Sequence, residues 1–566
     1  MDERLRVGIL CDGLVFQHWQ AECIRQVLAV QGVDPVVLVV QDKAAADQQK
    51  PAMKHALYRW FKKNRLRAKA LAADDMANVL AGIPVLKCRP IGSSSAQRFE
   101  FADLVAIKGY APEVLLRFGF NILHGEILTL PTHGIWSYHH GDEEHYRGRP
   151  VGFWEIMQAD PVTGVTLQRL TEKLDAGLVI RKGWFRTVDH SLSANLDHVM
   201  LGSTGWMAQV CRELLMGRTS VAQGVASASE APVRGAPGNM DLLEFLFTCN
   251  TNRIAHNRRN AAQHEEWNIG VLYQPITSLL DAKPSLNVRW LPSPGPGQQR
   301  RTPFGYMADG QLNVLYGKYD AVAGKSDISR LRPKRDNVLK RSRTMLSTGD
   351  MLSHPYLLEH EGQLLVIPEN QAGRVDVYRV NTANEALDFA LTLLDEELRA
   401  PMLFQHEGRW WLFGTKAPWE DVALYAYHAP ALEGPWTAHA LNPVKTDVRS
   451  ARPAGTPFTH QGQLYRPARD NSHTKGWRVA LMRVLELSPT AFREELVKTI
   501  GPLKGSAWSH GMGTLSAVGD LTLVDGKRPM SAGDRGARPK RSGGKSRGTK
   551  PKMSKREGDR DDDEED

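Results

Sequence analysis

Between Ile135 and Met157 the chain reads IWSYHHGDEEHYRGRPVGFWEIM, with three histidines, one aspartate and three glutamates set among aromatic residues. Such a loop offers three chemistries. A metal centre needs its ligands on one face. His139 and His140 are adjacent, however, and neighbouring side chains of a strand point to opposite sides. His145 lies beyond a glycine, and the spacing fits neither HExxH nor HxxEH. No metal is expected. Acid/base chemistry needs one imidazole whose tautomer and basicity are set by a carboxylate. Asp175, in TGVTLQRLTEKLDAGLVIRKG, precedes Ala-Gly at the end of an apparently helical stretch, from which a short turn aims it back at the loop. His139 as acid/base with Asp175 as its partner is the expectation. The bland alternative is that both segments only cap strands.

The elements around the loop read as an α/β sheet. RVGILCDG is a short apolar run closed by Asp12-Gly13, WQAECIRQVLAV places Ile24, Val27 and Leu28 on one helical face, and PVVLVVQD is a continuous β-branched run. Strand, helix and strand in this order make a βαβ unit with a parallel sheet buried on both faces. The segment 50–72 is basic and helical and reads as a surface insertion. The strand pattern resumes with IPVLKCRPI, DLVAIKGY and PTHGIWSYHHGD. Ligands of open α/β sheets sit beyond the carboxyl ends of strands, and the histidine loop follows such a strand. The absence of GxGxxG after the first strand counts against a dinucleotide site.

Four separate elements in this region resemble the folate-dependent formyltransferases, the fold shared by methionyl-tRNA, glycinamide ribonucleotide and sugar-amine formyltransferases. That family has Asn-x-His at a strand end, then RG-x-x-P, Gly-Val-Thr and Asp-x-Gly. Here the elements are Ser137-Tyr138-His139, Arg147-Gly148-Arg149-Pro150, Gly164-Val165-Thr166 and Asp175-Ala176-Gly177. The resemblance implies a formyltransferase-like α/β domain over 1–222. It also implies 10-formyltetrahydrofolate as donor, His139 as proton shuttle, Asp175 as its orienting partner, and Ser137 where the family's Asn holds the oxyanion. His140, Asp142, Arg147, Gly148 and Thr166 are the substrate-binding candidates of this half. The Asn-to-Ser departure offers one shorter hydrogen-bond donor, and losing a well-placed oxyanion donor costs about 10²–10³ in rate. It leaves open a different group donor.

From about residue 300 the chain repeats. PFGYMADGQLNVLYGK, PYLLEHEGQLLVIPEN, PMLFQHEGRWWLFGTK and GTPFTHQGQLYRPARD each join two strands through a glycine turn, at Gly310, Gly362, Gly408 and Gly462. Short antiparallel strands at this period predict a β-propeller of five blades, with GSAWSHGMGTLSAVGDLTLVDG as a further unit and early strands in VLYQPI and LNVRWL. SHPYLLEHEG, EGRWWLF, GPWTAHALNPV, RSARPAG and LYRPARD resemble the five-bladed furanosidase-type glycoside hydrolases. They resemble more closely the propeller region of plant glucosamine inositolphosphorylceramide transferases and their bacterial relatives fused to a formyltransferase-like domain. The residues before the blade-opening prolines are Thr302, His354 and Ala400 rather than acids, and Glu369, Asp447 and Asp470 form no evident pair. Two-carboxylate hydrolysis is therefore not expected. Sugar binding is expected instead. Trp410, Trp411 and Trp436 offer faces for stacking, while Arg449, Arg452, Arg466 and Arg469, with Asp470, offer polar grips for an acidic or phosphorylated glycan.

The 566-residue length exceeds one ordinary core, and 42% hydrophobic with 24% charged residues is the balance of a soluble globular protein. Five scattered cysteines without CxxC exclude a disulfide scaffold or a thiolate zinc site. MDERLRVGIL is too short for a signal-peptide core, and no window approaches the roughly 18 apolar residues of a membrane span. A cytoplasmic protein is expected. The domains are read as 1–222, a linker at 223–240, a propeller over 241–525 and a disordered basic-then-acidic tail over 526–566. Three functions remain. One is a formyltransferase-like enzyme acting on an amino sugar or surface-glycan precursor held partly by the propeller. The second is a glycosyl or other group transferase with a non-folate donor. The third is a catalytically idle glycan-binding protein. A nucleic-acid partner is not expected, because the propeller replaces the small domain of a tRNA formyltransferase.

Overall fold

A computed structural model describes residues 4–42, 53–93, 96–172, 177–227, 231–261, 265–295, 297–320, 323–333, 342–503 and 505–529. The first half builds an eight-stranded sheet. Five strands run parallel in the spatial order Val85–Cys88, Val33–Gln41, Leu5–Cys11, Val114–Arg117, Ile135–His139. Three antiparallel strands, Val162–Arg169, Leu178–Arg186 and Val225–Ala226, extend it beyond the histidine strand. The first strand is buried along nearly its whole length because neighbours flank both of its edges and layers cover both of its faces. Helix His18–Leu28 turns Trp19, Cys23, Ile24 and Val27 inward, at the spacing that puts them on one face.

Three expectations need correction here. DLVAIKGY is not a strand but helix Phe101–Gly109, and the strand is Val114–Arg117; a short apolar run fits a buried helix as well as a buried strand. The stretch before Asp175 is the strand Val162–Arg169, whose β-branched Val162, Thr163, Val165 and Thr166 suit a pleated surface better than a helix. The expected linker 223–240 also pairs with the α/β domain, Val225–Ala226 along Leu178–Val179 and Val233–Arg234 along Arg147–Gly148. Gly148 is required at that pairing: its φ is 93°, and a Cβ would run into the carbonyl of Arg234.

The second half is a five-bladed propeller in which four sheets have four strands and the sheet over 399–446 has five. Four blades lie over residues 298–346, 353–394, 399–446 and 458–500. The fifth joins Glu265–Leu272 and Val288–Trp290 to Leu515–Val518 and Leu521–Pro529. Pairing early and late strands in one sheet closes the ring of blades, and each blade keeps only short edges. The last strand runs to Pro529, beyond residue 525, and buries Lys527. The rest of the tail lies outside the described residues. Helix Asn239–Ala261, within the span expected for the propeller, packs instead on the α/β side, where Phe245 stacks on Phe153 at 4.3 Å.

Four tight hairpins use the same device. Asp309-Gly310, Glu361-Gly362, Glu407-Gly408 and Gln461-Gly462 all hold both residues at positive φ, the turn whose twist matches paired strands. A second repeated device lies at the blade-opening prolines. Thr302, His354 and Ala400 have φ near +50° beside a register shift in their strands, and these bulges aim their amides sideways.

The two halves share a core. Val422 and Val448 of the propeller belong to the same apolar cluster as Phe185, Val199 and Trp206 of the α/β domain. The Val448 amide donates to the Trp184 carbonyl at 2.9 Å, and Gln209 Nε2 donates to the carbonyls of Leu441 and Pro443 at 3.2 and 3.0 Å. A cavity of about 600 Å³ remains between the halves, with Arg181, Trp206 and Arg218 on one wall and Lys445, Phe492 and Arg493 on the other.

Candidate functional site

The carboxyl ends of the two parallel strands Val114–Arg117 and Ile135–His139 bring Arg117, Ser137 and His139 to one rim of the sheet. Ser137 is buried, and its Oγ accepts a hydrogen bond from Arg117 Nη1 at 3.0 Å, which leaves the hydroxyl proton free to donate elsewhere. Arg117 is fixed further by the carbonyls of Phe120 and Asn121. Burial, with the nearby Arg149 charge, pushes Arg117 down to about 10, so it stays cationic at neutral pH. Its Nε is buried without a hydrogen-bond partner among the described residues.

His139 is half-buried, and its Nε2 lies 3.2 Å from the Tyr146 carbonyl. A carbonyl can only accept, so Nε2 carries a proton in this contact. Asp175, its expected partner, lies outside the described residues. His140 points the other way, into an aromatic nest against Trp19 (4.6 Å) and Tyr138 (5.5 Å). Burial pushes it down to about 3, and it is neutral at any ordinary pH. It is packed as a hydrophobic ring rather than presented to a ligand.

The acidic run is tied to the next strands. Lys182 Nζ lies 2.7 Å from Asp142, 3.1 Å from Glu143 and 3.1 Å from Glu144. Burial acts to raise the Asp142 pKa, but the Lys182 hydrogen bond and charge outweigh it and hold the carboxyl below its usual range. Thr166 donates to Glu143 at 2.6 Å. Asp142, Glu144 and His145 offer ligand atoms within 4.8 Å of one another, yet the lysine ammonium already occupies the place a cation would take. Arg147 Nη1 donates to the Ala231 carbonyl at 3.2 Å and so holds the chain that follows the sheet.

This loop is joined to the propeller through Trp184. Its indole donates to Asp142 at 3.2 Å, and the Arg449 guanidinium lies over its ring at 3.9 Å while bonding both oxygens of Asp447. Arg449 is therefore a clamp between domains. Arg117, Lys182 and Trp184 were not singled out in the sequence; the signal for Arg117 was its place at the end of the strand neighbouring the histidine strand.

Glu155, in helix Phe153–Met157, is buried, and burial with the Asp160 charge outweighs the nearby backbone amides and pushes it up to about 7. Its folded pKa lies above the unfolded one, so its favourable contribution is complete below about 4.5 and lost as pH rises through about 7. Glu155→Gln removes that loss. The variant is expected to gain stability over the parent progressively between pH 5 and 8, by on the order of 3 kcal/mol at about 1.4 kcal/mol per pH unit. Urea unfolding at the two pH values checks it; an equal difference at both contradicts it.

The inner ends of the blades are polar. The Thr302 amide donates to Asp525, the His354 amide to Thr302 Oγ1 and the Ala400 amide to Glu369, at 2.9, 2.9 and 2.8 Å. The bulged amides thus stitch blade to blade. Arg452 Nη2 binds Glu369 at 2.7 Å, and Arg469 donates to the Gly513 carbonyl at 2.9 Å. Burial acts to raise Glu369, but Arg452, His354 and the Ala400 amide bring it to about 2, which excludes it as a general acid near neutral pH. Arg466 is fully buried between Glu494, Ser450 and Ala451, and Asp470 is bound by Arg478 and the Ser472 amide. Trp410 and Trp411 are both buried, since neighbouring blades cover both faces of their sheet, and Trp436 bonds the Leu432 carbonyl. Of the propeller candidates, Trp410, Arg466 and Asp470 sit inside blades. Arg452 lies on the axis and Arg449 at the domain boundary.

Fold and site together describe an α/β sheet with a histidine rim, clamped to a five-bladed propeller. Residues 295–511 match the family described as glucosamine inositolphosphorylceramide transferase 1, N-terminal. Among individual proteins, glucosamine inositolphosphorylceramide transferase 1 of Oryza sativa subsp. japonica is 28% identical over 196 residues, covering 32% of this chain and 26% of the relative. The chain thus spans about a quarter of that relative's length. Two solved structures are similar in part. Glycinamide ribonucleotide transformylase 1 from Symbiobacterium toebii has a TM-score of 0.28 and 16% identity over 38% of this chain and 91% of its own. A family 117 glycoside hydrolase of Zobellia galactanivorans has a TM-score of 0.30 and 12% identity over 48% of this chain and 92% of its own.

Proposed function

We propose that the chain is a group-transfer enzyme that modifies an amino sugar or a surface-glycan precursor, with formyl transfer at the α/β rim and part of the glycan held by the propeller. The observation that carries this reading is the convergence of Arg117, Ser137 and His139 at one carboxyl-terminal sheet rim. His139 holds its proton at Nε2 and offers Nδ1 to the proton of an attacking amine. Ser137, accepting from Arg117, keeps its own proton for a developing oxyanion, and Asp175 would orient the imidazole. The buried Arg117 Nε lacks an acceptor among the described residues, and a formyl oxygen fits that lack. 10-Formyltetrahydrofolate would supply the activated formyl carbon when bound.

A second reading is transfer from a sugar-phosphate donor. The cavity between the halves favours it, because Arg181, Arg218 and Arg493 reach one space wide enough for such a ligand. The similarity of residues 295–511 to glucosamine inositolphosphorylceramide transferases supports a glycan under either reading. The test is incubation of the full chain with 10-formyltetrahydrofolate and a panel of amino sugars, with products read by mass. N-formylated sugar is expected. Consumption of a nucleotide sugar without any formylated product would replace the first reading with the second.

A further inference from the structure

The basic segment near residue 55 is absorbed by no part of the transfer site. From Lys54 to Lys69 it holds seven lysines and arginines and no acid. Its helix, Ala56–Asn64, is held to the protein by Phe61, which meets Phe245 of helix Asn239–Ala261 at 6.2 Å. Beside Phe61 this segment turns large apolar side chains into solvent: Met53 is 80% exposed, Trp60 53%, and Leu57 also exposed.

The long helix beside it repeats this arrangement. Leu242, Phe245 and Cys249 face inward, while Met240 (75% exposed), Leu243 and Phe247 (74%) form an outward stripe at positions i, i+3 and i+7. The two stripes adjoin. Asn239 accepts from the Leu57 amide at 3.0 Å and donates to the Met53 carbonyl at 3.2 Å, and His55 Nδ1 meets the Pro237 carbonyl at 2.9 Å. An anchored apolar face of this kind is uncommon on a free soluble surface and marks a docking site.

Charge selects the occupant. A second copy would bring the same run of bases against itself, which like-charge repulsion opposes. A nucleic acid would match the bases but has no use for a stripe of Met, Leu and Phe. An anionic bilayer surface takes both, since aromatic and aliphatic side chains enter the headgroup–acyl boundary and lysines meet the phosphates. Glu244 is the exposed acid on the long helix's outer side, and Lys62, Lys63 and Arg65 outnumber it. No helix among the described residues is long and apolar enough to cross a membrane.

We propose that this face docks the protein peripherally on an anionic phospholipid membrane, with Trp60 and Phe247 entering the interface and Lys62, Lys63 and Arg65 binding lipid phosphates. The inference is independent of which group the α/β rim transfers. The test is cosedimentation of the full chain with vesicles of phosphatidylcholine alone and of phosphatidylcholine containing phosphatidylglycerol. Binding is expected only to the anionic vesicles and weakens with salt. Lys62→Glu with Lys63→Glu should lower the affinity at least about tenfold. Trp60→Ala with Phe247→Ala should do the same with unchanged melting, because these side chains leave no core void. Failure to bind anionic vesicles overturns the proposal, as does binding that survives both double variants. Self-association abolished by the apolar pair, or RNA binding in place of vesicle binding, would also overturn it.

Discussion

His139→Ala in the full chain is expected to lower the rate of group transfer by roughly 10²–10⁴-fold while leaving the melting curve in place. The ring sits half-buried at the open end of its strand, anchored by the Nε2 bond to the Tyr146 carbonyl. Removing it forfeits a bond worth about 1 kcal/mol in stability. Under the proposed chemistry, the same change removes the base that would take the amine proton. His140→Ala should behave in the opposite way, because that ring is packed between Trp19 and Tyr138 and neutral, so its loss opens a void without touching proton transfer. Steady-state rates and thermal unfolding of the two variants separate the roles. A His139→Ala protein with full activity would remove the acid/base assignment.

The second large effect concerns stability. Arg466→Met is expected to destabilise the protein by about 3–5 kcal/mol, because it strands the buried Glu494 carboxylate. The pair is 1% and 2% exposed, with bonds of 2.6 and 3.1 Å, and Lys445 at 2.8 Å is the remaining cation. Burial acts to raise Glu494, but Arg466 and Lys445 hold it below its usual range. A depressed folded pKa contributes stability above the unfolded value that is lost as pH falls, so the deficit of Arg466→Met is greatest near neutrality and shrinks in acid. Adding Glu494→Gln should recover part of the loss. Urea unfolding of parent, single and double variants measures this. A neutral single variant would mean that the arginine is not a strut of its blade.

The parallel-sheet half was legible where runs of Val, Ile and Leu ended in polar turns, and the propeller where Asp-Gly, Glu-Gly and Gln-Gly recurred. These are local signals, set by backbone geometry within a few residues. Long-range facts were not legible. No local pattern tells that Glu265–Leu272 pairs with Leu521–Pro529, or that residues 223–240 fold back along Leu178 and Arg147. DLVAIKGY was misread because helix and buried strand look alike at that length. In the site, His139 was singled out from the polar loop and Ser137 only from the family resemblance, whereas Arg117 was not singled out because only a parallel crossover brings it to the same rim. Trp410 and the propeller arginines looked like ligand contacts by residue type. Burial by neighbouring blades, which no linear spacing reveals, places Trp410, Arg466 and Asp470 inside the fold.

Formyl transfer by this chain requires that the rim formed by Arg117, Ser137 and His139 accept a folate-type donor. The decisive measurement is thermal unfolding of the full chain with a non-reactive folate analogue, beside nucleotide sugars as controls. Binding to the native state alone raises stability by about 2.7 kcal/mol at a hundredfold excess over Kd. The account predicts such a rise with the folate, reduced when Arg117 is replaced by methionine. An unchanged melting curve with every folate, alongside a clear rise with a nucleotide sugar, would contradict it.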